Sequence, residues 1–168
     1  MDLHDRHPAV LLRRDKTMMI RTTLVALLMM TGLASAAEPA ATVRQLNRGP
    51  VAGDTFAYDP ALVRVPVGGS VRFEPTDKGH NVAPIQSLWP AGAPPLTVPF
   101  NSEATVTFDR PGVYPVQCTP HTGLGMVALI VVGDADMTEF AAKAASAPGL
   151  APKARAKLGV LAGAAGQS

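Results

Sequence analysis

The chain has 168 residues, enough for one domain, and its single cysteine, Cys118, excludes an intrachain disulfide. Residues 37–168 carry ten basic and ten acidic side chains, so the formal charge of +2 comes from the N-terminal segment. A balanced body lacks the basic excess that nucleic-acid binding needs.

Residues 1–36 read as a secretory signal, with translation starting at Met1 or, more economically, at Met18 or Met19. Arg21 supplies the positive end. Leu24–Leu33 is an apolar run of the right length, and Ala34-Ser35-Ala36 is a small-residue cleavage site, with cutting expected before Ala37. The run is too short for a membrane span, which takes about 20 apolar residues. His4 and His7 leave with this segment.

Residues 37–168 then read as one domain of short strands separated by turns. Thr42–Arg48 alternates as a first strand. Gly49-Pro50 and Gly53-Asp54 are turn chemistry, and Phe56–Tyr58 and Leu62–Val65 flank Asp59-Pro60. Gly68-Gly69 turns the chain into Val71–Phe73, and Thr105–Phe108 alternates again. Val127–Val132 is apolar throughout, as in a strand buried on both faces. Strands at this spacing predict an all-β sandwich. Beyond them the pattern turns helical over about 136–163. Asp134 or Asp136 is placed to cap a helix over Met137–Ala145, Pro148-Gly149 breaks it, and a second helix runs from Pro152 to about Leu161. Phe140, Leu158 and Leu161 are the expected contacts with the sheet.

Between two apolar runs lies Cys118-Thr-Pro-His121-Thr-Gly-Leu-Gly-Met126, a thiol, an imidazole and a thioether on one tight loop. Thiolate and thioether favour Cu(I), and imidazole suits copper in both oxidation states. Zinc would prefer another Cys, His or carboxylate to the methionine. The set lacks one histidine, and His80 is the candidate left in the body of the chain. A lone cysteine or methionine is more often plain core packing; it is their combination at this spacing that points to a metal.

The segment Pro75-Thr-Asp-Lys-Gly-His80-Asn81, the Pro111-Gly-Val-Tyr114 run, the Leu46-Asn-Arg-Gly49 start and the Cys118…Met126 loop together resemble the pseudoazurins, single-domain blue copper proteins of the cupredoxin family. The resemblance covers about Thr42 to the C-terminal region. It implies a Greek-key cupredoxin β-sandwich with two C-terminal α-helices. It also implies one type 1 copper ion held by His80, Cys118, His121 and Met126, and a monomeric electron carrier. The implied partners are periplasmic redox proteins: an upstream donor and a copper or haem reductase of denitrification, acting on nitrite or nitrous oxide.

By the same resemblance, Asn81 ties its loop to that of Cys118, with its N–H available to the sulfur. Phe56 falls near a position whose side chain packs on the exposed ligand ring, so it either stacks on His121 or is a core aromatic. Pro120 has no N–H to give the thiolate. Gly123, Leu124, Gly125, Pro84 and Trp89-Pro90 are candidates for an apolar collar, with Trp89 equally readable as core. Arg48 and Lys78 match basic positions around the copper patch, whereas Gln117 stands where a basic residue is usual. A more apolar docking face with weak salt dependence is therefore expected. After signal removal two histidines remain, both spent on one copper, so no ligand set is left for an enzyme. A copper chaperone or store is the alternative reading.

Overall fold

The computed structural model describes residues 38–167; the expected signal and its cleavage site lie outside the described residues. Eight strands follow one another as β1 (Ala41–Arg48), β2 (Thr55–Asp59), β3 (Leu62–Val65), β4 (Gly69–Glu74), β5 (Ala83–Pro84), β6 (Ala104–Phe108), β7 (Gly112–Gln117) and β8 (Val127–Val132). Two helices close the chain, α1 (Met137–Ser146) and α2 (Pro152–Ala165). The strands form two four-stranded sheets, ordered β2-β1-β4-β6 and β3-β8-β7-β5. Strands β1 and β4 pair in parallel, as do β3 and β8.

Alternation fixes what each sheet buries. Val43, Val71, Phe73 and Phe108 from the first sheet meet Val63, Val65, Val116, Ile130 and Val132 from the second to make the core between them. Strand β8 is buried at every position. Ala128, Ile130 and Val132 face that core, while Val127, Leu129 and Val131 face Phe140, Ala144, Leu158 and Ala162 of the helices. A strand covered on both faces has no polar side, which is why its sequence shows no alternation.

The helices start where capping chemistry allows. Asp136 accepts the Glu139 N–H at 2.9 Å and caps α1. Pro152 opens α2, where its missing N–H costs nothing. Arg155 then donates to the carbonyls of Ala144, Ala145 and Ala147 at the end of α1 and to that of Leu150 in the connecting loop. Helix α2 runs four residues past the expected Leu161. Ala154, Leu158, Ala162 and Ala165 keep one face buried, and this packing overrides the weak propensity of Gly159 and Gly163.

Trp89 is partly buried and packs against the core. Its ring meets Tyr114 edge-on at 5.1 Å, and its N–H reaches the Pro94 carbonyl.

Candidate metal centre

Strands β7 and β8 are adjacent and antiparallel, so the loop joining them is a hairpin tip. Its shape is set by backbone bonds. Cys118 N–H donates to Met126 O, Met126 N–H and Leu124 N–H donate to His121 O, and His121 N–H donates to Cys118 O. Gly125 takes φ 91°, a left-handed conformation that favours glycine. Thr122 Oγ1 bonds the Cys118 carbonyl and the Gln117 side chain, whose amide N–H reaches Pro84 O. Gln117, where a docking cation was the usual residue, thus ties β5 to the loop.

His80 arrives from the turn between β4 and β5. Asn101 holds that turn: its Oδ1 accepts the Gly79 N–H, and its N–H donates to His80 O. The His80 ring is fixed from the other side by Asn47, whose Oδ1 lies 3.0 Å from Nε2. An amide oxygen there demands a proton on Nε2 and leaves the Nδ1 lone pair free for a metal. Asp77 in turn accepts the Asn47 N–H and donates its own N–H to Gln45 O, joining β1 to the turn. The sequence pattern gave Asn47 no role. Asn47 continues the alternation of the buried Val43 and Gln45 but is itself exposed near the end of β1.

Three donor atoms converge. Cys118 Sγ lies 3.7 Å from His80 Nδ1 and 3.4 Å from His121 Nδ1, and the two nitrogens are 3.2 Å apart. Donors bound to one ion at about 2.0–2.3 Å and about 100–120° apart stand roughly 3.1–3.8 Å from one another, so this spacing fits a shared metal. Cys118, His80 and Met126 are fully buried, whereas His121 is partly exposed. Burial pushes the Cys118 thiol up, and the backbone N–H groups of Asn81 and His121 pull it partly back. Burial, then the neighbouring His121, lowers His80, so it favours the neutral imidazole that a metal requires.

The neighbours lock the donors in place. Asn81 Oδ1 accepts from both N–H and Oγ1 of Thr119, joining the two ligand-bearing loops. Tyr58, kept neutral by burial, donates its hydroxyl to Asn81 O at 2.5 Å. The Phe56 ring lies on His121 with centroids 3.9 Å apart and planes 5° apart, and it also packs against the core between the sheets. Pro120 is exposed on the loop between the two donors. Gln45, fully buried on β1, is the one side chain among the described residues whose buried polar atoms lack a hydrogen-bond partner.

Residues 47–133 match the family of copper binding proteins, plastocyanin/azurin family. A pseudoazurin of Methylorubrum extorquens is 47% identical over 116 residues, covering 69% of this chain and 76% of the relative. The chain belongs to the pseudoazurins. One of Paracoccus pantotrophus is 42% identical, over 63% of this chain and 72% of its own. Among solved pseudoazurin structures, that of Methylobacterium extorquens AM1 superposes with TM-score 0.61 at 43% identity, over 71% of this chain and 96% of the other. That of Hyphomicrobium denitrificans gives TM-score 0.66 at 30% identity, over 74% and 98%. The fold is accordingly the cupredoxin sandwich with two C-terminal helices. This pseudoazurin is a type 1 copper electron-transfer protein and not an enzyme, and His80, Cys118, His121 and Met126 form the pattern of its copper site.

Proposed function

We propose that this pseudoazurin is exported behind the signal at residues 1–36, cut before Ala37, and acts in the periplasm as a monomeric carrier. It takes single electrons from an upstream donor and delivers them to a reductase of denitrification, for nitrite or nitrous oxide. We assign His80, Cys118, His121 and Met126 as the residues that would hold the copper ion. The observation that carries this reading is the convergence of three soft and imidazole donors within 3.7 Å, of which only His121 reaches the surface.

Copper held by these residues would supply one-electron Cu(I)/Cu(II) chemistry. The chain's part is to hold the donors still. Asn47 orients His80, Asn81 clamps the two loops, and Phe56 keeps the His121 ring in one plane. Burial of Cys118, His80 and Met126 keeps water from the donors, so electrons pass at the His121 side.

The test is to add Cu(II) to the purified protein and record visible and EPR spectra before and after ascorbate. A thiolate charge-transfer band that ascorbate bleaches together with the EPR signal is expected. A colourless product would overturn the assignment. The reductase is tested by following oxidation of the reduced protein by purified nitrite and nitrous oxide reductases; turnover with neither would remove that partner.

A further inference from the structure

The chain has two tyrosines, both buried, and their hydroxyls go to different places. Tyr114 donates to the Arg110 carbonyl, four residues back along the chain, at 2.9 Å. Tyr58 reaches 23 residues ahead, out of β2, to the Asn81 carbonyl beside the ligand His80. Packing between the sheets asks only for a ring at position 58, and a buried phenol oxygen is a burden unless it finds a partner. Burial, then the nearby Cys118, keeps the phenol protonated, so it is a standing donor. Gln45, opposite Tyr58 in the strand register, gives the hydroxyl nothing, since both of its amide atoms lack partners. The hydroxyl is therefore committed to Asn81. Among the described residues no other group donates to that carbonyl.

Asn81 is the residue on which both ligand-bearing loops depend. Its N–H is one of two backbone donors to the Cys118 sulfur. Its Oδ1 accepts from Thr119 N–H at 2.9 Å and from Thr119 Oγ1 at 3.2 Å. Its carbonyl belongs to the peptide that also gives the Val82 N–H to Val98 O at 3.1 Å. Tyr58 holds the other edge of that peptide at 2.5 Å. With the hydroxyl gone, the carbonyl would be buried without a partner and the peptide would turn to relieve it. Turning it moves the Asn81 backbone on which the sulfur's donor sits.

We propose that Tyr58 is a positioning residue for electron transfer: its hydroxyl fixes the Asn81 backbone, which keeps the Asn81 N–H on the Cys118 sulfur and so holds the reduction potential up. The proposal rests on the copper-carrier reading above and names a residue that tunes that site without touching the ion. Strand β2 then serves the centre twice, through Phe56 on the His121 ring and through Tyr58 on the turn behind His80.

The test compares wild type, Y58F and Y114F. Y114F removes a buried hydroxyl of the same kind far along β7 from the donors, so it reports what a lost hydrogen bond does by itself. Two readouts are taken. In the metal-free protein, hydrogen exchange at the Asn81 amide is followed by NMR relative to core amides of β8. Y58F should speed it about 10-fold, the scale of one net hydrogen bond, and Y114F should leave it with the core. In the copper-loaded protein, voltammetry reads the potential. Y58F should lower it by an amount equal to about a 3–10-fold shift in the oxidised-to-reduced ratio, a tenfold shift being about 59 mV for one electron. Y114F should leave the potential where it is.

An unchanged potential in Y58F would overturn the proposal, even with faster exchange, because the hydroxyl would then be a structural anchor only. So would a raised potential, which would make the hydroxyl dipole act on the centre directly. Equal shifts in Y58F and Y114F would overturn it too, by tracing both to lost stability. If wild type gives no reversible one-electron wave, the carrier reading itself falls; if it does and Y58F matches it, only the Tyr58 assignment falls.

Discussion

Phe56 stacks on His121 while its own backbone sits at φ 56°, in the left-handed region that bulky residues avoid. Such a conformation costs of order 1–2 kcal/mol for a residue with a Cβ. Ring stacking returns about 0.5–1.5 kcal/mol, and burial of part of the ring adds to that. The strain is thus held in place by the contact that covers the exposed donor ring.

Substitutions at 56 should therefore rank by backbone as well as by size. Phe56→Ala removes the stack and is expected to cost roughly 1–2 kcal/mol. Phe56→Val keeps more apolar surface yet should be the less stable of the two, because a β-branched residue tolerates a left-handed backbone worst. Urea denaturation of the metal-free variants checks this. Equal or greater stability of the valine variant would show that the positive φ relaxes without cost.

Asn47→Ala should lower metal affinity about 10–100-fold, the usual effect of removing the group that orients a ligating histidine. The His80 ring would lose the acceptor that holds a proton on Nε2 and keeps Nδ1 toward Cys118. Competition with a chelator of known affinity measures the change. Asn47→Ser, which keeps an acceptor on a shorter stem, should recover part of the loss; unchanged affinity in the alanine variant would refute the role.

Gln45→Met is expected to stabilise the protein. The glutamine is fully buried and both its polar atoms lack partners, whereas methionine has a similar shape and no hydrogen-bonding demand. Leaving a buried donor or acceptor unpaired costs about 1–3 kcal/mol, so a gain of that order should appear as a higher Tm of the metal-free protein. A lower Tm would mean that the amide is satisfied in solution.

Pro120→Ala should raise the reduction potential, because it adds an N–H on the loop between Cys118 and His121, and a donor toward the sulfur favours the electron-rich state. Protein-film voltammetry reads the shift directly. A fall in potential would contradict the argument.

The donors were legible because their chemistry is concentrated: one cysteine, two histidines and a methionine, three of them within nine residues. The continuous apolar run of β8 likewise announced a strand covered on both sides. Strand β7 was harder to place. Pro115 interrupts it, yet its carbonyl accepts from Ile85 N–H, so its missing N–H lies on the side of the two-residue β5, where little pairing is lost. Asn47 and Gln45 were opaque for another reason: alternation shows which side of the strand a residue takes, not what a polar one meets there. Lys153 and Lys157 reach the copper end because α2 packs beside Gly125, a tertiary event with no local signature.

The hairpin tip that carries Cys118, His121 and Met126 is closed by main-chain hydrogen bonds, none of which uses a donor atom of those side chains. Folding therefore need not wait for the ion. The polypeptide can assemble empty and present a ready cradle to whatever supplies copper.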